Sequence, residues 1–93
     1  MSPYIARSPK VAARMLGREM MIMSGTDSTL FHLNEVASAI WQAADGATPL
    51  DEIVRQRVCA EFEVEPAAAA EDAAGFVAEL SAHGVLLVSD QPI

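Results

Sequence analysis

Two histidines, one cysteine and thirteen carboxylates are the groups in this chain with reactive chemistry to offer. His32 and His83 lie far apart, and neither has a Cys or carboxylate at metal-ligand spacing around it. His32 reads as an exposed strand residue. His83 reads as a partner for the carbonyls at a helix C-terminus. A nucleophilic Cys59 would need a base and an electropositive surrounding. Its neighbours are Val58, Ala60 and Glu61, with Arg55 one turn back, so it reads as a packed thiol. Glu71 and Asp72 are adjacent on a helix and point to different sides, which argues against a paired-carboxylate site. There is no Gly-rich phosphate loop, no Ser/His/Asp set and no Cys-x-x-Cys. These absences lead to an expectation of no catalytic residue, no metal site and no cofactor: a recognition protein, not an enzyme.

Charge separates along the chain. Residues 1–18 carry Arg7, Lys10, Arg14 and Arg18 with no acid, a net of +4. Residues 19–93 carry all 13 acids against Arg55 and Arg57, a net of −11, and the whole sums to −7. An acidic body is the reverse of a nucleic-acid-binding face. It suits a solvated surface, or attraction of a basic or amphipathic partner. No apolar run reaches the length of a membrane span. The N-terminus lacks a secretory signal, and one unpaired cysteine suits a reducing cytoplasm.

The elements that would position a binding surface centre on Phe31-His32-Leu33-Asn34-Glu35-Val36. Phe31 and Leu33 share one face of an extended segment, with His32 on the other. Asn34 reads as an N-cap, and Glu35 favours the positive end of the helix that follows. Val36, Ala37, Ile40, Trp41 and Ala44 recur at helical spacing over 34–45, and Gly46 is a plausible stop. Upstream, 11–16 and 19–24 read as strands about Gly17. Gly25-Thr26-Asp27-Ser28 has hairpin-loop chemistry, and Thr29–Leu33 returns. Downstream, Thr48 as N-cap and Pro49 at the first helical position open a second helix, with Leu50, Ile53, Val54, Val58 and Phe62 on its apolar face. Pro66 starts a third helix reaching about Ala82, with Ala70, Ala73, Phe76, Val77 and Leu80 inward. Gly84 ends it, and 85–88 is a last extended run. The organisation expected is a flexible tail over 1–10, one domain over 11–88 and a flexible tail over 89–93. Its fold class is α+β: a winged helix-turn-helix-like domain with a small N-terminal antiparallel sheet of two or three strands, then three helices.

The order Leu16-Gly17-x-Glu19, a strand, then Leu33-Asn34-Glu35 with Ile40-Trp41 resembles the PqqD family. Asp45-Gly46-x-x-Pro49-Leu50-x-x-Ile53-Val54 and Glu61-Phe62-x-Val64-x-Pro66 continue the match, as does Asp72-x-x-x-Phe76-Val77-x-Glu79-Leu80-x-x-x-Gly84-Val85-Leu86. The sequence departs from the namesake at Ser24–Ser28, where a Pro-Glu pair is expected. The resemblance implies a non-catalytic recognition element. It would bind the leader of a ribosomally made precursor peptide and present it to a modifying enzyme, such as a radical S-adenosylmethionine protein, in making pyrroloquinoline quinone or another modified peptide. The acidic body and the lack of a membrane-length apolar run argue against a nucleic-acid or membrane partner, and the resemblance places a peptide groove between the Thr29–Leu33 strand and the third helix. The candidate contacts are Thr29, Leu30, Phe31, His32 and Leu33 on the strand, with Asp72, Gly75, Phe76 and Glu79 on the helix. Phe31, Leu33, Phe76 and Leu80 fit the core as well as a groove, and for Phe76 and Leu80, on the helix's main apolar stripe, the core is the better reading. Gly75 reads either as room for a neighbour's close approach or as a tolerated imperfection. A winged-helix DNA-binding regulator and a scaffold or oligomerisation module are the alternatives; the first would set Glu71, Asp72 and Glu79 against phosphate.

Overall fold

Met20 and Ile22 alternate with Glu19, Met21 and Met23, a period-two pattern that buries one side of an extended segment. In the computed structural model, which describes residues 2–25 and 28–93, that segment is the middle of a meander. β1 is Tyr4–Arg7, β2 Ala12–Leu16, β3 Glu19–Met23 and β4 Leu30–Leu33. β2, β3 and β4 pair antiparallel in chain order, with Met20 opposite Leu33 and Ile22 opposite Phe31. The expected loop over 25–28 falls in part on Thr26 and Asp27, which lie outside the described residues.

α1 spans Glu35–Gln42, and Asn34 caps it: its Oδ1 accepts the Ala37 N–H at 2.9 Å. The Ser38 hydroxyl donates back to the Leu33 carbonyl at 3.0 Å, so the last strand residue and the first helical turn are tied twice. α2 spans Leu50–Ile53 and continues through a wider π-helical stretch, Val54–Cys59. α3 spans Pro66–Ala82, with Ala69, Ala73, Val77 and Leu80 buried. Ala73, Val77 and Leu80 face inward as expected, Phe76 is half-buried, and Ala69 is buried in place of the exposed Ala70. α3 ends in a Schellman-type turn, with Val85 N–H bonded to Leu80 O at 2.9 Å and Gly84 at φ +73°. β6 is Leu86–Ser89.

The segment over 1–10 is not a loose tail. β1 is the middle strand of a second antiparallel sheet, between β5 (Asp45–Pro49) and β6, and Ile5 is fully buried. Neither β1 nor β5 was legible in the sequence, because Asp, Gly and Pro are poor strand formers and each strand exists only through a distant partner. This sheet also moves the start of α2. Pro49 is the cap residue, and Thr48 instead donates its hydroxyl to Asp45 Oδ2 at 3.3 Å. The first free amides of α2 bond to the N-terminal segment, Leu50 N–H to Pro3 O and Asp51 N–H to Ser2 Oγ, both at 2.8 Å. Gly46 is no helix stop. It sits in β5 at φ +75°, and a Cβ there would come within 3.0 Å of Ile93. The Ile93 N–H bonds to Gly46 O at 2.7 Å, so the stretch after β6 is likewise held. The described residues thus form an α+β fold with two small antiparallel sheets and three helices.

The helices join the two sheets. One apolar core runs from Ile5 and Leu86 through Trp41, Ile53 and Leu80 to Met20, Ile22 and Leu33. Arg7 lies 5.7 Å from the centre of the Trp41 ring and donates to the Gln42 carbonyl at 2.6 Å, which fixes β1 to the negative end of α1.

Two expectations follow for stability. Ile5→Ala should lower the unfolding free energy by about 2–5 kcal/mol, as for a buried aliphatic side chain. Urea denaturation reads this directly, and a loss under about 0.5 kcal/mol would mean that β1 is not part of the core. Asp45 accepts the N–H groups of Ala47 and Thr48, and the Ala47 bond leads in holding its pKa below the usual 3.8. A lowered folded-state value gives stability that is complete above 3.8 and lost as pH falls through the folded value. Asp45→Ala should therefore be destabilising at neutral pH, with the gap from wild type narrowing as unfolding is followed into acid below 3.8.

Candidate functional site

The backbone of β4 is half spent. In an antiparallel ladder the hydrogen-bonded pairs alternate, and the Ser24 N–H bonds to Thr29 O at 2.9 Å. With the register unbroken from Met23–Leu30 to Met20–Leu33, Phe31 and Leu33 share that bonded set. Leu30 and His32 therefore turn their N–H and C=O groups to the side where β4 has no neighbouring strand among the described residues. An edge of this kind is a template for one more strand.

Beside the end of β4 lies a cleft of about 340 Å³. Val36, Ala37 and Ile40 of α1 form one wall, and Ala69, Ala73 and Phe76 of α3 the other. Val58 and Val64 also line it, while Asn34 and Asp72 contribute polar groups. Asn34 lies both in this cleft and directly after β4, so the cleft adjoins the end of the strand. A larger hollow of about 570 Å³ is polar: it holds Arg18 paired with Glu35 and Arg57 with Glu61, each at 3.7 Å. An apolar side chain gains more from the smaller one.

The strand residues expected at the site divide by face. Leu30 is 55% exposed, and His32 is exposed with its Nε2 2.9 Å from Glu19 Oε1. Thr29 is half-buried ahead of the strand. Leu33 faces the core and is buried. Phe31 is half-buried and meets His83, the residue closing α3, edge-on at 5.1 Å between ring centres. On α3, Asp72 and Phe76 line the cleft. Gly75 and Glu79 are exposed and do not. This cleft runs between α1 and α3, and the peptide groove expected between β4 and α3 is a separate reading that shares Asp72 and Phe76 with it. The α1 wall was missed because Val36, Ala37 and Ile40 sit at core spacing. Half-burial of Val36 and Ala37 distinguishes them, and no periodicity reports that. No three His, Cys, Asp or Glu groups converge for a metal among the described residues, and no helix of the structure is long and apolar enough to cross a membrane.

A family model described as "Coenzyme PQQ synthesis protein D (PqqD)" matches residues 19–86, most of the chain and all of the edge and cleft. The chain belongs to the PqqD family. Among solved structures it is similar to one titled "TbiB1 in Complex with the TbiA(beta) Leader Peptide". The identity is 26% and the TM-score 0.75, over 87% of this chain and 93% of that one. No curated protein matches. The PqqD match takes in β3 to α3 and only the first residue of β6, while β1 and β2 lie outside it.

Gly75 has open space where a Cβ would be added. Within this chain, then, no neighbour requires the glycine. Gly75→Ala should stabilise α3 by about 1 kcal/mol. Thermal or urea unfolding checks this, and a destabilised variant would show a steric role within the fold.

Proposed function

We propose that this PqqD-family chain is a leader-peptide-binding protein. The leader of a ribosomally made precursor adds as a strand to the free edge of β4, and alternate side chains enter the cleft between α1 and α3. The unpaired backbone of Leu30 and His32 beside an apolar cleft is the observation that carries this reading. Strand addition supplies affinity through main-chain hydrogen bonds, and the cleft supplies selectivity. Similarity to a protein solved with a leader peptide supports it. The chain contributes recognition and no catalytic step, in the cytoplasm. It hands the bound precursor to a modifying enzyme, such as a radical S-adenosylmethionine protein. Within this reading the contacts are Thr29, Leu30, Phe31 and His32 along the strand, with Asp72 and Phe76 at the cleft and Gly75 and Glu79 on the helix surface beyond it. Leu33 serves through its backbone.

The winged helix-turn-helix-like reading of the architecture belongs to the same proposal, with the β2–β3–β4 meander beside α3 as the wing. It does not bring DNA with it. No Lys or Arg follows Arg57, so α3 would present Glu71, Asp72 and Glu79 to a polyanion.

The test is calorimetric titration with the leader segment of a precursor encoded beside the gene. One site per chain is expected. His32→Pro removes an outward N–H while sparing the ladder to β3, and should weaken binding at least about tenfold with the circular dichroism unchanged. His32→Ala keeps the amide and should bind nearly as the wild type does. Equal affinity of a folded His32→Pro would refute strand addition at β4.

A further inference from the structure

The meander has a second free edge. All five residues of β2 are exposed, with Met15 at 40% and Leu16 at 55%. Because Met20, Ile22 and Ser24 spend their backbone groups on β4, Glu19, Met21 and Met23 spend theirs on Leu16, Arg14 and Ala12. Ala13 and Met15 therefore point their N–H and C=O groups outward. Their side chains share the face of Ile22 and Met20, the core side of the sheet. Arg14 lies on the other face, in register with Met21 and His32. The strand thus sets Ala13 and Met15 on one face and Arg14, between Ala12 and Leu16, on the other, with no proline on it to block a further strand.

We infer that β2 of one copy adds to the free edge of β4 in a second copy, a weak head-to-tail contact that covers the site proposed for the leader. The complementarity lies within one sequence. The segment from Arg7 to Arg18 holds four cations and no acid, and neither Lys10 nor Arg14 has a side-chain partner among the described residues. The receiving cleft carries Asp72, on a helix with no Lys or Arg. Antiparallel addition sets the outward Ala13 and Met15 opposite Leu30 and His32, with their side chains on the outer face, and turns Arg14 to the cleft side, towards Asp72. The net charge of −7 opposes approach of whole copies, and one short strand pair makes a small interface, so the association is weak. Each added copy leaves one β2 and one β4 edge free, so growth does not close at two. Competition with the leader rests on the reading of β4 given above; the edge-to-edge contact rests on the fold alone.

Sedimentation of the full chain across a concentration series tests the contact. Met15→Pro removes an outward donor of β2, and His32→Pro one of β4; Trp41 fluorescence verifies that each is folded. The wild-type mean mass should rise past that of two copies without a plateau. Each variant alone should remain monomeric. Their equimolar mixture should form a heterodimer and stop, because one supplies an intact β4 and the other an intact β2. Arg14→Glu leaves the β2 backbone whole and should raise the concentration needed for association about tenfold. A wild type that stays monomeric throughout overturns the contact. So does a dimer plateau indifferent to either proline, a mixture that stays monomeric, or an Arg14→Glu curve identical to the wild type's. Leader titration into dilute Met15→Pro separates the two readings. Loss of binding there, with wild-type association intact, would refute the leader reading and leave the contact standing.

Discussion

The bond from the Ala37 amide to Asn34 Oδ1 decides where strand ends and helix begins, and the rest of the site depends on it. Were the helix to start a turn earlier, Phe31 and His32 would no longer pair with β3. A later start would carry Val36 and Ala37 off the cleft wall. The Ser38 hydroxyl bonded to Leu33 O holds the same junction from the helix side. Two short polar side chains therefore set the register between a backbone edge and an apolar hollow. A cap of this kind contributes about 1 kcal/mol to stability; here its geometry matters more than its energy.

What could be read from the sequence follows how local each signal is. The meander and α3 announce themselves through alternation, glycine and proline within a few residues of their ends. Asn34 is a cap by residue type, and it caps. β1 and β5 carry no such mark. Tyr4-Ile5-Ala6-Arg7 becomes a strand because Leu86–Ser89 lies along one side of it and Asp45–Pro49 along the other. Thr48 illustrates the same limit. It is a good cap by type, but Asp45 claims its hydroxyl, and the amides at the start of α2 turn to Ser2 and Pro3. Long-range partners override local propensity wherever an element is only four or five residues long.

The candidate site was legible to the extent that it is backbone. An edge strand follows from strand order, and β4 was a natural last member of an N-terminal sheet. The cleft wall on α1 was hidden because a half-buried Val36 and a buried Ile40 share one spacing. Charge was legible in amount but not in placement. The sequence separates +4 from −11, while the fold sets Arg14 on β2, at the edge of the meander opposite β4.

The two sheets also differ in how far along the chain their partners lie. The meander closes through neighbouring hairpins, whereas β1 pairs Tyr4 with Ser89. Closing the second sheet costs the entropy of a loop almost as long as the chain, and that cost precedes any reward from burying Ile5. On a chain emerging from the ribosome, the meander and its open edge can form while β1 still waits for β6 to be made. The open edge of β4 is then older, in each molecule's own history, than the sheet that completes the core.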